Sequence, residues 1–263
     1  MKPDYKNWVP KGMVWGTLAG AAGSLALAAV CGTGGFIHDQ TLHHAVTGVL
    51  LTAGAGAGVA ALWLEKLHRA FDYNGTRQLS RQIIDGISSR VVIPDGGLGL
   101  DVGCGSGALT IACAKKNLGA EMIGIDRWGK EYASFNRPLC ENNARAEGVT
   151  NVSFRQGNAL KLDFPDETFD LVTSNYVYHN IPSRDRQAIL LETLRTLKKG
   201  GMFAIHDIFS KSKYGDMQIF VQQLKNAGYE EVELIDTSSG LFMTKKEGTW
   251  LGLAGSALLI GKK

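Results

Sequence analysis

Two long stretches without a charged side chain constrain this chain more than any other feature. Residues 12–37 and 45–64 contain no Asp, Glu, Lys or Arg over 26 and 20 residues. A helix of about 20 apolar residues crosses a hydrocarbon core about 30 Å thick. The connector, residues 38–44, is so short that the two helices must be antiparallel neighbours. We therefore predict a transmembrane hairpin within residues 1–69.

Glycines recur at four-residue spacing in both predicted helices. They are Gly12, Gly16 and Gly20 in the first helix, and Gly54 and Gly58 in the second. Glycines at this spacing allow two helix backbones to approach closely in a membrane. We predict that they form the packing surface of the hairpin, and that the same helices allow two copies of the chain to associate.

Two other interpretations of the uncharged stretches stay open. The first is a glycine-rich helix pair buried in the core of a soluble protein. The second is a cleaved signal peptide, because lysines precede the first stretch. The presence of a second stretch argues against cleavage.

Basic residues flank the two stretches on one side only. They are Lys2, Lys6, Lys11, Lys66 and Arg69. The connector has no Lys or Arg, so the positive-inside rule places both ends of the hairpin in the cytoplasm. His38, Asp39, His43 and His44 in the connector are possible metal ligands, but solvated or interfacial histidines are the commoner case and we predict no metal site.

From about residue 70 to residue 263, short apolar runs alternate with helical stretches. This alternation is typical of an α/β fold, a Rossmann-like, doubly wound and mostly parallel seven-stranded sheet. The predicted strands are 97–102, 120–125, 150–155, 169–174, 201–206, 229–235 and 256–262. The predicted helices are 76–90, 106–117, 130–147, 184–198 and 216–227.

Charge and cysteine usage narrow the functional class. The net charge of +3 is spread along the chain, so nothing predicts a nucleic-acid partner. Cys31, Cys104, Cys113 and Cys140 lack metal-ligand spacing and lie in apolar or glycine-rich stretches. We therefore expect reduced thiols in an intracellular domain.

One glycine-rich segment points to a ligand. Residues 98–110 run from an apolar strand through Gly103, Gly105 and Gly107 into a helix. Glycines there let the backbone pass close to a nucleotide-like molecule. The spacing differs from the Gly-x-Gly-x-x-Gly of dinucleotide sites, and Asp101 suits a ligand that carries an ammonium and a sulfonium better than a pyrophosphate.

Four motifs in order resemble those of the class I S-adenosylmethionine-dependent methyltransferases. They are Asp101–Gly107, Ile123–Asp126, Gly157–Leu160 and Phe169–Ile181. The resemblance covers about residues 70–263 and is greatest to the branch that contains quinone-biosynthesis and other small-molecule methyltransferases. It implies that S-adenosylmethionine is the cofactor.

The resemblance also implies cofactor-binding residues. They are Tyr73, Asp101, Gly103, Gly105, Gly107, Asp126, Arg127, Asn158, Ala159 and Asn175. Asp126 would accept hydrogen bonds from both ribose hydroxyls, and Trp128 would lie against the adenine or simply pack. Asn158 stands where many relatives carry Asp, so the adenine contact there departs from the family pattern. Tyr73 would fold over the cofactor.

His179 and His206 are the candidate catalytic residues. Each follows or ends a predicted strand at the edge where acceptor and donor should meet. An imidazole can take a proton from an acceptor hydroxyl or thiol near neutral pH. Alternatively, His179 only packs or orients the acceptor. Asp207 beside His206 makes a second candidate pair.

Residues 241–243 and 249–253 form an apolar insertion between the last two predicted strands. It either packs against the sheet or forms an interfacial patch in which Trp250 lies at the level of the lipid headgroups.

We predict a membrane-anchored methyltransferase with a small, lipophilic acceptor at the cytoplasmic membrane face. The alternatives are a catalytically silent cofactor-binding scaffold and a nicotinamide-dependent dehydrogenase. The acceptor atom and the oligomeric state do not follow from the sequence.

Overall fold

The computed structural model describes residues 2–33, 37, 39–129 and 134–263. The chain forms two compact units. One comprises residues 7–80, and the other comprises residues 1–6 together with residues 81–263.

The first unit is a pair of long helices, α1 (Lys11–Gly32) and α2 (Gln40–Phe71). The start predicted for the second helix was too late. The Asp39 side chain accepts a hydrogen bond from the Leu42 backbone N–H at 2.8 Å, so this N-cap starts the helix inside the expected connector. The first helix ends at Gly32, short of the expected residue 37. Residues 34–36 and His38 lie outside the described residues.

The two helices pack along small residues spaced seven apart. Val14, Ala21 and Ala28 are the buried residues of α1, and Gly54 and Ala61 are among those of α2. This spacing keeps one face of each helix in register with its neighbour.

The prediction that the Gly12 series forms the packing surface of α1 is wrong. A Cβ added at Gly12, Gly16 or Gly20 would meet no atom within 4 Å, and the same holds at Gly58. Of the predicted glycines only Gly54 is crowded, since its Cβ would lie 2.7 Å from the Leu25 Cγ.

Side-chain contacts tie the open ends of the hairpin together. The Asn7 amide donates a hydrogen bond to the His68 carbonyl oxygen at 2.8 Å, and the His68 Nδ1 lies 2.7 Å from the Val9 carbonyl oxygen. The Trp8 ring packs on Phe71 with 5.1 Å between centroids. The segment before α1 is thus held to the last turns of α2.

Both helices are long and apolar enough to cross a membrane by length and composition. The most apolar windows are only 17% and 11% buried. Large apolar side chains accordingly point outward, among them Trp15, Val59 and Leu62 at 65%, 69% and 70% exposure.

The second unit contains a seven-stranded sheet in the order β3-β2-β1-β4-β5-β7-β6. The strands are β1 (Leu98–Val102), β2 (Glu121–Asp126), β3 (Val152–Gln156), β4 (Phe169–Asn175), β5 (Leu197–Ile208), β6 (Glu230–Asp236) and β7 (Ser256–Lys262). All neighbouring pairs are parallel except those of β7, which is antiparallel to β5 and β6. The predicted fold class, a mostly parallel seven-stranded sheet after two apolar helices, is confirmed.

The remaining helices mostly connect the strands. They are α3 (Leu79–Ser88), α4 (Ala108–Lys116), α5 (Arg137–Ala146), α6 (Arg186–Arg195), α7 (Lys211–Tyr214), α8 (Met217–Asn226) and α9 (Lys245–Trp250). The helix predicted over 130–147 begins later, because the Asn136 side chain caps its first turn and Pro138 occupies its start. Residues 130–133 lie outside the described residues.

The strand order sets where a ligand can bind. From β1 the chain continues to β2 on one side, while β4 lies on the other side. Such a switch point opens a crevice at the carboxyl ends of the strands. Beneath it, Leu100, Phe169 and Phe203 are fully buried and belong to the apolar core that supports this edge.

Candidate active site

The glycine turn after β1 adopts a backbone that only glycine tolerates easily. Gly103, Gly105 and Gly107 have φ of +75°, +55° and +82°. A Cβ at Gly103 would lie 2.3 Å from a methyl carbon of Val177, and a Cβ at Gly107 would lie 3.0 Å from the Phe154 ring. Neighbouring side chains therefore exclude larger residues at both positions.

Gly105 differs, because space is open where its Cβ would point. Its N–H donates a hydrogen bond to the Asp126 Oδ2 at 2.9 Å, and its carbonyl oxygen accepts one from the Trp128 indole N–H at 3.0 Å. The Asp126 Oδ1 accepts from the Trp128 backbone N–H at 2.8 Å. Asp126 and Trp128 thus hold the middle of the turn, and the space beside Gly105 stays open. The Asp126 carboxylate retains lone pairs that are able to accept from further donors.

Asp101 lies below the turn and is 1% exposed. Its carboxylate accepts hydrogen bonds from the Thr110 hydroxyl at 2.7 Å and the Thr173 hydroxyl at 3.0 Å. Burial raises the pKa of Asp101 to about 6, although the two hydroxyls oppose that shift. These contacts explain how Asp101 supports the turn, and direct contact with the cofactor stays a prediction.

Asn143 of α5 joins the turn to the beginning of the chain. Its amide group donates hydrogen bonds to the carbonyl oxygens of Ser106 and Asp4, each at 3.0 Å, and its oxygen accepts one from the Asp4 N–H at 2.7 Å. Tyr5 is only 6% exposed, and its hydroxyl donates to Glu147 at 3.2 Å. We call residues 2–6 the N-terminal strap. The strap is not predictable from the sequence, because 139 residues separate Asp4 from Asn143.

The other predicted cofactor residues are placed as follows. Arg127 and Asn158 are exposed, at the ends of β2 and β3, and Ala159 is half-buried. The Asn158 side chain accepts a hydrogen bond from the Leu160 N–H at 3.0 Å, which leaves its amide N–H groups for a ligand. Tyr73 is half-buried and belongs to the hairpin unit. Their contacts with the cofactor stay predictions.

Asn175, at the end of β4, is fixed by His206 of β5. The His206 Nδ1 lies 2.8 Å from the Asn175 Oδ1, and its Nε2 lies 2.8 Å from the Thr237 hydroxyl. Because an amide oxygen only accepts, Nδ1 carries the proton and Nε2 accepts from Thr237. Burial lowers the pKa of His206 to about 3, so this imidazole is neutral.

His206 is predicted to lie with His179 at the edge where acceptor and donor meet, but its ring is buried. The His206 ring is fully buried between Tyr176 and Phe242, with centroids 4.6 and 5.5 Å away. Phe242 belongs to the apolar insertion, and it is 7% exposed whereas Trp250 is 60% exposed. The insertion therefore packs on the sheet through Phe242.

His179 pairs with Asp207, and not His206 with Asp207 as the sequence suggested. The His179 Nδ1 lies 2.5 Å from the Asp207 Oδ1. The Asp207 side chain is fully buried, whereas the His179 side chain is 15% exposed. β4 and β5 are adjacent, so residues that follow one and end the other meet at this edge.

The Asp207 carboxylate is held by several other donors. Its Oδ2 accepts from the Tyr178 N–H at 2.8 Å, and from the His179 N–H and the Tyr214 hydroxyl at 3.2 Å. Its Oδ1 accepts from the Ile208 N–H at 2.7 Å. Burial raises the pKa of the Tyr214 hydroxyl, which keeps it a donor.

Comparison with known proteins identifies the family of the sheet unit. Residues 95–251 match the family model described as a methyltransferase domain. The match covers more than half of the chain. The chain belongs to the methyltransferase domain family, and it is an S-adenosylmethionine-dependent methyltransferase.

Curated relatives match part of this methyltransferase. A demethylmenaquinone methyltransferase from Geobacillus kaustophilus is 28% identical over 168 residues, which cover 59% of this chain and 68% of the relative. One from Geobacillus stearothermophilus is 30% identical and covers 51% of this chain and 55% of the relative. An uncharacterized methyltransferase from Schizosaccharomyces pombe is 37% identical, and the match covers 39% of this chain and 36% of the relative. The chain thus spans from about a third to two thirds of these relatives.

Two solved structures share the fold at low sequence identity. The [4+2]-cyclase SpnF is 19% identical with a TM-score of 0.54, covering 73% of this methyltransferase and 85% of the cyclase. A geranyl diphosphate methyltransferase is 14% identical with a TM-score of 0.51, covering 73% of this chain and 84% of that structure's chain. A cyclase and a methyltransferase on one fold show that the sheet alone does not decide the reaction.

Proposed function

We propose that this protein is a membrane-anchored methyltransferase that transfers the methyl group of S-adenosylmethionine to a small lipophilic acceptor of the quinol type. The observation that carries the proposal is the edge formed by β1, β2, β4 and β5. There a glycine turn with open space beside Asp126 lies across the switch point from the His179–Asp207 pair.

The cofactor side is proposed to use the glycine turn and Asp126. The cofactor supplies a methyl group on a sulfonium, whose leaving group needs no protonation. The Asp126 carboxylate would accept from the ribose hydroxyls with the lone pairs that the Gly105 and Trp128 N–H groups leave free. Asn175, held by His206, would line the methionine part. The chain then contributes mainly alignment and exclusion of water.

The acceptor side is proposed to be aromatic. Tyr176, Phe242 and the His179 ring lie on the β4–β5 side of the edge. The demethylmenaquinone methyltransferases among the relatives support a quinol acceptor. Apolar and aromatic walls with a few polar groups suit such a ligand.

The anchor is proposed to be α1 and α2, crossing the membrane as an antiparallel pair. Their outward-facing large apolar side chains support this arrangement. α2 is about 48 Å long, so its basic last turns would extend beyond the hydrocarbon core. The lysines before α1 favour a cytoplasmic location for both ends.

A methyl-transfer assay tests the activity. Full-length protein in detergent is mixed with radiolabelled S-adenosylmethionine and either reduced demethylmenaquinone or a membrane lipid extract. Label in the reduced quinone supports the proposal. Label in another extracted compound overturns the quinol assignment, and cofactor binding without transfer to any compound supports the silent scaffold.

Calorimetry with the same protein tests the cofactor site. S-adenosylmethionine should bind and NAD should not. Asp126→Ala should weaken binding at least tenfold, because two hydrogen bonds to a charged group are lost at about 1.5–3 kcal/mol each. Asp163→Ala serves as a control, since Asp163 is exposed and lies before β4 rather than at the carboxyl ends of the strands. Unchanged affinity in Asp126→Ala would refute the ribose assignment.

Alkaline carbonate extraction of membranes tests the anchor. A protein held by two crossing helices stays in the membrane fraction. Recovery of the full-length protein in the soluble fraction would contradict the anchor while leaving the assignment of the activity intact.

A further inference from the structure

We infer that Asp207 is a positioning residue that makes His179 the proton acceptor of the reaction, and that the acceptor is therefore a compound whose hydroxyl must lose its proton during transfer. This inference rests on the proposed function and gives a reason, from the residues of this chain, why the acceptor is a phenol or hydroquinone and not an amine.

Asp207 fixes the tautomer of His179. A carboxylate only accepts hydrogen bonds, so the contact of 2.5 Å between the Asp207 Oδ1 and the His179 Nδ1 places the ring proton on Nδ1. The lone pair of a neutral imidazole then lies on Nε2. This nitrogen is the atom that is able to take a proton from an acceptor.

The His179–Asp207 pair is held in place from both sides. Donors from Tyr178, Tyr214 and Ile208 saturate the buried Asp207 carboxylate. The Lys213 ammonium also donates to the His179 carbonyl oxygen at 3.1 Å. The imidazole is thus held by both its ring and its backbone.

His179 and His206 differ in the groups that their ring nitrogens contact. Both lie at the same edge, but both ring nitrogens of His206 are hydrogen-bonded within the fold and its ring is fully buried. His179 has one nitrogen on a carboxylate and a ring that is partly exposed. A carboxylate behind the His179 ring stabilises the imidazolium, whereas His206 has only an amide oxygen and a hydroxyl beside its ring nitrogens.

The chemistry is balanced without a further reactant. The acceptor hydroxyl proton moves to the His179 Nε2, and the electron pair left on the oxygen, or shared with the adjacent ring carbon, forms the bond to the methyl group. When the ring carbon attacks, its hydrogen is then lost as a proton and the ring oxygen takes one up, which restores the aromatic ring. The methyl–sulfur bond breaks and its electron pair stays on sulfur. The imidazolium that results is stabilised by the Asp207 carboxylate, and the proton then passes to solvent.

The experiment combines a spectroscopic measurement with kinetics on the full chain in detergent. Selective ¹⁵N labelling of histidine gives the tautomer of His179, with His179→Gln used to assign its signals. We expect the proton on Nδ1 in the wild type and a mixture of tautomers in Asp207→Asn. An Nε2–H tautomer in the wild type would overturn the inference whether or not the protein is active.

The kinetic part uses two acceptors, 1,4-naphthohydroquinone and a halogenated analogue whose hydroxyl is already ionised at the assay pH. His179→Gln should lower kcat about 10²–10⁴-fold on the first acceptor and less than tenfold on the second. Asp207→Asn should show the same selectivity with a smaller loss. Equal losses on both acceptors would show that His179 only orients the acceptor.

Two controls separate this inference from the proposed function. His44→Gln makes the same change at an exposed histidine of α2 and should leave both rates unchanged. His179→Gln should also keep the wild-type affinity for S-adenosylmethionine, which shows that the variant is folded. If the wild type methylates neither acceptor, the quinol assignment fails, and the tautomer measurement still decides whether Asp207 positions His179.

Discussion

The hairpin and the sheet unit use glycine in opposite ways. In α1, the space beside Gly12, Gly16 and Gly20 is open and these glycines face away from α2. In the turn after β1, positive φ angles and close neighbours require glycine. Glycine is therefore replaceable at these three positions of α1 and indispensable in the turn after β1. Counting glycines in a motif does not distinguish the two cases, but their surroundings do.

The largest effect is expected from a matched pair of glycine substitutions. Gly103→Ala places a Cβ 2.3 Å from Val177 at a φ of +75°, which should cost about 3 kcal/mol or more and abolish cofactor binding. Gly20→Ala should change stability by less than about 1 kcal/mol, in the stabilising direction. Thermal unfolding and calorimetry measure both, and equal effects would erase the contrast between the two regions.

The stability of the sheet unit should depend on pH through Asp101. The pKa of Asp101 is raised to about 6 from 3.8, so the folded protein keeps a proton that the unfolded chain loses between these values. Stability should therefore fall by about 3 kcal/mol as the pH rises from 4 to 6, and stay lower above pH 6. Asp101→Asn, which keeps an acceptor and a donor for the two threonines, should remove this slope in denaturant titrations. A slope that persists in the variant would assign it to another group.

A smaller effect is expected where the hairpin is crowded. Gly54→Ala would bring a Cβ within 2.7 Å of Leu25 and 3.2 Å of the Ala21 carbonyl oxygen, and should weaken helix packing by about 1–2 kcal/mol. Gly58→Ala is the control, because its surroundings are open. Disulfide cross-linking between cysteines introduced in α1 and α2 measures the packing. No difference between the variants would argue against packing of the two helices through Gly54.

The smallest effect is expected at the N-terminal strap, where a substitution shows which unit the strap stabilises. Tyr5→Phe removes the hydrogen bond to Glu147 and should destabilise the sheet unit by about 0.5–1.5 kcal/mol. Cross-linking within the hairpin should not change. A loss of hairpin packing with an unaffected sheet unit would contradict the assignment of residues 1–6 to the sheet unit.

Features of the fold that depend on a short stretch of sequence were predictable. Alternating apolar runs predict the strands, and the glycine spacing predicts the turn after β1. The face of α1 that packs against α2 was not predictable, because a helix rich in Gly and Ala is similarly apolar on all sides. The pairing of His179 with Asp207 depends on the adjacency of β4 and β5, and the Asp4–Asn143 contact joins residues far apart in the chain. Sequence spacing carries no information about either contact.

The N-terminal strap has a consequence for membrane topology. Tyr5 is buried in the same unit as residues 81–263, so it lies on the same side of any bilayer as the sheet edge that carries His179 and Asp207. The chain between Tyr5 and residue 81 must then cross that bilayer an even number of times. Two crossings by α1 and α2 satisfy this parity, whereas a single crossing with the other helix lying along the surface does not. A hydrogen bond between side chains 142 residues apart in sequence thereby restricts the membrane topology of the folded chain, independently of the lysines that flank the helices.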